Sequence, residues 1–171
     1  LKDHGVSIDN AGLVIIAVYL PMLFNRLGYL SDDRRDFKSK ECQVKAIFVS
    51  QCFVTDEKEI PESELFLNKV LTGYDSPEPL PRSCDLTENE LEIMEQLKKA
   101  VLMNWDKMRH TSWEGFQKTF IQRKGMLKME EDNWMLTVEE KPFDILLDSL
   151  PWNFKLVKAP WMEKMLRVKW R

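Results

Sequence analysis

Gly125-Met126-Leu127-Lys128-Met129-Glu130-Glu131-Asp132-Asn133-Trp134-Met135-Leu136-Thr137-Val138 is the stretch whose reading decides the fold. Leu127 and Met129 alternate with charged neighbours, Glu131-Asp132-Asn133 turns the chain, and Trp134, Leu136 and Val138 alternate again. A period of two on both sides of a polar turn predicts a β-hairpin. Upstream of it the apolar residues recur at three- and four-residue steps, which is the period of a helix. The expected class is therefore mainly α with a small β-hairpin or sheet near the C-terminus, an α+β arrangement.

Upstream of the hairpin, Thr111 and Glu114 have capping-box spacing and open a short helix through Phe116, Phe120 and Ile121, with Gly125 as its end. Thr87 and Glu90 repeat that spacing ahead of Leu91, Met94, Leu97, Val101, Leu102 and Trp105, the clearest amphipathic pattern in the chain. Asp75-Ser76-Pro77-Glu78-Pro79-Leu80-Pro81 reads as a stiff, extended connector. It is the credible internal boundary, a soft one over 74–86, and the expectation remains a single domain over 1–171. Pro61 can occupy the first turn of a helix through Leu65, Leu67, Val70 and Leu71, stopped by Gly73. A further helix fits Asp33 to Phe53, its first half charged and exposed. The first helix is capped by Asp9 or Asn10 and runs through Leu13, Ile16, Leu20, Leu23, Phe24 and Leu27, with a kink at Pro21 and a stop at Gly28. Residues 1–9 read as a polar approach segment.

Downstream, Asp144 to Leu150 predicts a short helical turn broken by Pro151-Trp152. Phe154, Leu156 and Val157 suggest a strand, and Pro160-Trp161 begins the closing segment. In Lys164-Met165-Leu166-Arg167-Val168-Lys169-Trp170-Arg171 basic and apolar residues alternate, which fits a half-buried edge strand or a basic binding arm.

With 171 residues, 44% of them hydrophobic and 31% charged, the chain has ordinary globular composition, and a chain this size buries roughly 70% of its unfolded surface. A full core is feasible, and six Trp and nine Phe supply anchors for it or for a subunit interface. The net charge of -3 gives no electrostatic reason to bind nucleic acid. Cys42, Cys52 and Cys84 are odd in number and form no CxxC pair, so free thiols in a reducing cytosol are expected rather than disulfides or a zinc knuckle. The apolar run from Ala11 to Phe24 falls short of the roughly 20 residues a membrane span requires and is interrupted by Pro21, so no membrane insertion is expected.

No residue pattern carries chemistry. His4 and His110 have no second ligand at metal-binding spacing, and there is neither a nucleophile elbow nor a glycine-rich phosphate loop. The acidic pairs Glu130/Glu131 and Glu139/Glu140 read as solvated charge. The expectation is no enzyme, no catalytic residue, no cofactor and no metal. Trp152 and Trp161 each follow a proline, which sets a large ring at a fixed position. Such rings serve either as a clamp over the core or as a preformed contact for a partner. The residues alone reach a helix-rich domain with a small sheet and no visible active site.

Four stretches add a resemblance. The first is Ile8-Asp9-Asn10-Ala11-Gly12-Leu13-Val14 followed by Tyr19-Leu20-Pro21-Met22-Leu23-Phe24 and Leu27-Gly28. The second is Glu64-Leu65-Phe66-Leu67-Asn68-Lys69-Val70-Leu71-Thr72-Gly73. The third is Asn104-Trp105, then Thr111-Ser112, then Phe120-Ile121-Gln122-Arg123-Lys124-Gly125. The fourth is Asp144-Ile145-Leu146-Leu147-Asp148-Ser149-Leu150-Pro151-Trp152, then Pro160-Trp161-Met162. In this order, over almost the whole chain, they resemble the contractile injection system tape measure family. The chain departs from it at Gly115-Phe116, where the family has Gly-Leu and then an Arg near Gln117, and at Asp106, where a Pro often follows the Trp.

The resemblance implies a structural part of a phage-tail-like particle that sets the length of the inner tube. It implies inner-tube and baseplate hub or spike proteins as partners and a homo-oligomer, a trimer by analogy with phage tails. It also implies a life in the bacterial cytoplasm during assembly and then in the tube lumen. A ruler needs a long element, at about 1.5 Å per helical residue, and this chain has no long uninterrupted helix. With Leu1 as its first residue, it is expected to be the globular anchoring end of a longer protein whose ruler lies upstream. Trp152, Trp161, Met162 and Trp170 are the expected partner-binding residues. The competing reading is a stand-alone helical interaction or adaptor module.

Overall fold

The computed structural model describes residues 5–171 and is an α+β fold. His4 lies outside the described residues. Five strands form one mixed sheet: β1 (Val6–Ile8), β2 (Gly125–Glu130), β3 (Asn133–Val138), β4 (Leu156–Val157) and β5 (Leu166–Lys169), in the order β1-β2-β3-β5-β4. The helices are α1 (Leu20–Arg26), α2 (Lys40–Cys52), α3 (Phe66–Leu71), α4 (Glu88–Asn104) and the short α5 (Trp113–Phe116).

The hairpin forms where the alternation places it. Leu127 pairs with Leu136 and Met129 with Trp134. The loop is two residues, Glu131 and Asp132, both with positive φ, the backbone that matches strand twist in tight hairpins. The expected approach segment is instead partly strand: Val6 pairs with Leu127 and Ile8 with Gly125, so β1 forms the sheet's first edge. The closing strand is not an edge. β5 runs parallel to β3 on one side and antiparallel to β4 on the other. Its alternation, with Leu166 and Val168 buried and Arg167 and Lys169 exposed, reports which face is covered and is silent about lateral neighbours. The edge is β4, two residues long and bracketed by Pro151 and Pro160.

The first expected helix is broken into 3₁₀ turns at Ala11–Ile15 and Ala17–Tyr19 ahead of α1. Pro21 falls in the first turn of α1, where its missing N–H costs nothing, so it starts a helix and does not kink one. The Ala11–Ile15 turn lies against the π-helical turn Gln117–Ile121, with the Ala11 N–H bonded to the Arg123 carbonyl at 2.9 Å. A Cβ at Gly12 would overlap the Phe120 carbonyl oxygen, so this contact requires glycine. Asn10 does not cap the turn, because its side chain is drawn into the interior. The stop at Gly28 is as expected, with the Tyr29 N–H reaching back to the Phe24 carbonyl at 3.0 Å.

The second helix is shorter than expected, beginning at Lys40 under a Ser39 cap. Ahead of it the Ser31 hydroxyl and the Arg35 N–H both donate to Asp33 Oδ1, a local turn that competes with helix. The Thr87–Glu90 capping box forms as read. The buried face of α4 carries Ile93, Met94, Leu97 and Val101, while Leu91 points outward. At α5 the cap is Ser112, whose hydroxyl accepts from the Gly115 N–H at 3.0 Å; Glu114 pairs with Lys118 instead of closing a box with Thr111.

One apolar cluster runs from Ile8 to Trp170 and draws on the sheet, the 3₁₀ turns and the helices. A smaller cluster joins Ile47, Phe48, Ile60, Leu65, Tyr74 and Leu80. It straps down the Pro-rich connector, where the Leu80 N–H also donates to Glu62 at 2.7 Å.

Candidate functional site

The four expected contact residues come from the C-terminal segment, and the fold turns each of them toward this chain. Trp170 and Met162 are buried. Trp152 and Trp161 are half-buried, and each indole N–H donates to a backbone carbonyl, Ile15 and Leu71 respectively, at 2.9 Å. The Trp161 ring packs against Phe24 and Phe37. Gly73, with φ at +66°, lets the α3 terminus meet the Trp161 backbone, because a Cβ there would overlap the Trp161 carbonyl oxygen. Trp152 meets Tyr19 edge to face at 5.1 Å between ring centres.

Sequence reading missed the group that organises this end of the molecule. Arg123 and Asp144 are each 1% exposed and form a two-pronged ion pair at 2.7 and 2.9 Å. The guanidinium also donates to the carbonyls of Thr119 and Glu139, and it lies 5.1 Å from the Trp170 ring centre. Asp144 further accepts from the Trp170 indole and the Lys141 N–H, each at 2.9 Å. Burial pushes the Asp144 carboxyl up, but the hydrogen bonds from Arg123, Trp170 and Lys141 outweigh it and hold it below the ordinary carboxylate range. Trp170 is thus the pin that fixes the chain's last strand to this pair. Both charged residues fall inside stretches quoted above, yet no spacing rule links positions 21 residues apart.

A second buried polar group is neutral. Asn10 donates to Gln51 at 3.0 Å and to Asn68 at 2.8 Å, and Asn68 donates to Ser50 and Gln51. A third is Glu90, which takes the Tyr29 hydroxyl and pairs with Lys45 at 3.1 Å. Burial, then the Glu90 hydrogen bond, push the Tyr29 phenol up. Burial raises Glu90, but the Thr87 N–H, Tyr29 and Lys45 bring it below its ordinary value.

None of these groups is arranged for bond chemistry. Among the described residues no three His, Cys, Asp or Glu side chains converge on a point where a metal could sit. The three cysteines are free, and burial pushes the Cys52 and Cys84 thiols up, away from the reactive thiolate. His110 is exposed at the turn before α5.

The surface offers contact features instead. Val18, Met22 and Met103 are each about half exposed. Val18 and Met22 are four residues apart in the chain, and Met103 adjoins Asn104, whose amide donates to the Tyr19 hydroxyl at 3.1 Å. Tyr19 in turn meets Trp152 edge to face. A groove of about 330 Å³ opens between Phe66, Val70, Trp134 and Met162. Among the described residues no helix is long and apolar enough to cross a membrane.

The sequence of residues 1–170 matches a family model described as contractile injection system tape measure protein. Comparison with curated proteins and with solved structures finds no significant match.

Proposed function

This chain belongs to the contractile injection system tape measure family, and from that premise we propose that it is a compact anchoring body rather than the measuring rod. The family role is structural, and its members work with other components of the injection-system tube. The observation that carries the anchoring reading is the absence, among the described residues, of any rod: the longest helix, α4, has 17 residues, about 26 Å at 1.5 Å per residue. A body of this kind holds a position, and a rod-like element other than these helices supplies the distance. The partners in this reading are inner-tube and baseplate hub or spike proteins. The chain acts as a homo-oligomer, a trimer on the analogy with phage tails, first in the bacterial cytoplasm and then in the tube lumen.

An anchor needs a face to dock with. The exposed apolar residues Val18, Met22 and Met103 supply one without disturbing the core. Trp152 and Trp161, both only partly buried, contribute to docking from their own positions, while Met162 and Trp170 act from beneath by fixing the backbone. The test is the pair Met22→Lys and Met103→Lys in an intact particle-producing gene cluster. The purified variant should melt like the parent, while tubes become scarce or scattered in length under the electron microscope. Normal tubes of parental length, with the variant incorporated, would remove this docking face and count against the anchoring reading.

A further inference from the structure

The five-stranded sheet has one covered face and one open face. Leu127, Leu136 and Leu166 point into the core and are fully buried. Their neighbours along each strand point the other way, because successive side chains alternate. On that side Met126, Leu156, Arg167 and Lys169 are exposed, and Lys128 and Met135 are half-buried. The pairing register sets Lys128 opposite Met135 and Met135 opposite Arg167, so one row across three strands reads cation, methionine, cation. Leu156, opposite Arg167, extends the row. Among the described residues none of Lys128, Arg167 and Lys169 is in an ion pair, although ten such pairs form elsewhere in the protein. The carboxylate that the strands place on this side is Glu130, at the hairpin end. An open apolar row between unpaired cations is complementary to a surface that is apolar at its centre and acidic at its flanks.

A surface of that kind lies on α4. Glu88, Leu91, Glu92 and Glu95 follow at three- and four-residue steps, on the side of the helix opposite the buried Ile93, Met94, Leu97 and Val101. Leu91 is 46% exposed. Among the described residues Glu88 and Glu92 make no ion pair, and Glu95 pairs with Lys98 of its own helix. The spacings agree as well. Two strand-to-strand steps separate Lys128 from Arg167, about 9.6 Å with Met135 midway. Seven helical residues separate Glu88 from Glu95, about 10.5 Å with Leu91 near the middle.

We propose that the open sheet face binds α4 of a second copy of this chain, laid across the strands with Leu91 over Met135 and with Glu88 and Glu95 against the two flanking cations. Two different surfaces meet, so the contact is head-to-tail. Each copy offers its sheet to one neighbour and its helix to the next, and the assembly closes into a ring or runs on as a chain. Nucleic acid is a poorer occupant, because the outward strand positions carry no aromatic ring to stack on a base and the chain's net charge is -3. The inference deepens the homo-oligomer part of the reading above by naming the faces that meet. Val18, Met22 and Met103 take no part in it, so its failure and the failure of the tube-docking face are separate results.

The experiment is sedimentation velocity of the 171-residue chain over a dilution series, at low and at high salt. The parent should associate as concentration rises, and less so at high salt. Lys128→Glu with Arg167→Glu should weaken association about tenfold or more, and so should Glu88→Lys with Glu95→Lys, each with a melting temperature near the parent's. The fourfold variant carrying both pairs has the parent's net charge and the same attraction with its signs exchanged, so it should associate as the parent does. A contact between two sheet faces or between two helices would not be rescued in this way. If a reversal unfolds the chain, Lys128→Gln with Arg167→Gln and Glu88→Gln with Glu95→Gln remove the charges without adding repulsion, and each pair must still weaken association. The proposal is overturned by a parent that stays monomeric throughout, by double variants that associate like the parent, by a folded fourfold variant that stays apart, or by association that nuclease treatment abolishes.

Discussion

Two buried polar groups in this molecule differ in one respect that matters. The Arg123–Asp144 group is charged: the carboxylate takes bonds from Arg123, Trp170 and Lys141, and the guanidinium gives two further N–H groups to backbone carbonyls and leaves its Nε–H without a partner. The Asn10–Gln51–Asn68 group is neutral and likewise leaves one atom over, the Asn10 side-chain oxygen. Both serve the fold, so satisfaction does not separate them. Charge does, because losing a partner strands a full charge in the first group and only a dipole in the second.

The largest effect should come from breaking the charged group. Asp144→Ala leaves the Arg123 charge buried without its partner, and such a loss typically costs about 3–5 kcal/mol. Urea denaturation of the variant measures it, and a loss below about 1 kcal/mol would erase the contrast drawn here, since surface changes alone reach about half of that. The double change Arg123→Met with Asp144→Leu should recover much of the loss, because an apolar pair of similar volume needs no satisfaction. Acid gives a second handle. Asp144 is held below the unfolded value, near 3.9, so its contribution is complete above about pH 4 and is lost as pH falls through the lower, folded value. Glu90, also held low, acts in the same direction. Asp144→Asn should therefore flatten the fall in stability below about pH 4, read from denaturation midpoints across pH. An unchanged slope would place acid sensitivity elsewhere.

Much of the fold was legible because it depends on local signals. The hairpin follows from alternation on both sides of the polar turn Glu131-Asp132-Asn133, of which Asn133 proves to be the first residue of β3, and α4 from the Thr87–Glu90 box. What could not be read is what requires distant partners. Alternation in Leu166-Arg167-Val168-Lys169 gives the covered face of β5 but not its place between β3 and β4. Asn10 looked like a cap, since Asn is a good one, and became a core residue because Gln51 and Asn68 stand 41 and 58 residues away. The prolines before Trp152 and Trp161 are visible in the sequence, but whether a ring turns inward or outward is decided by its hydrogen-bond acceptor, here carbonyls 137 and 90 residues distant.

Within the neutral group, Asn68 is the residue that holds the others. Asn68→Ala removes one acceptor of Asn10 and the donor to Ser50 and Gln51, leaving one buried Asn10 N–H unpaired while the Asn10–Gln51 bond remains. The expected cost is about 1–3 kcal/mol, the penalty of an unsatisfied buried polar group, and so smaller than that of Asp144→Ala. Denaturation in the same buffer ranks the two directly. If Asn68→Ala were the more damaging, the neutral network and not the ion pair would be the principal polar support of the fold.

The smallest effect should come from a carboxylate that belongs to neither group. Glu57 is exposed, and among the described residues it makes no ion pair, so Glu57→Gln should change stability by no more than about 0.5 kcal/mol. Thermal melting beside Asn68→Ala and Asp144→Ala measures it. The order of the three follows from what each change strands: a buried charge, a buried dipole, and nothing. A clear destabilisation by Glu57→Gln would show that this carboxylate is engaged within the folded chain, and burial of the stranded partner would then not be what sets the order.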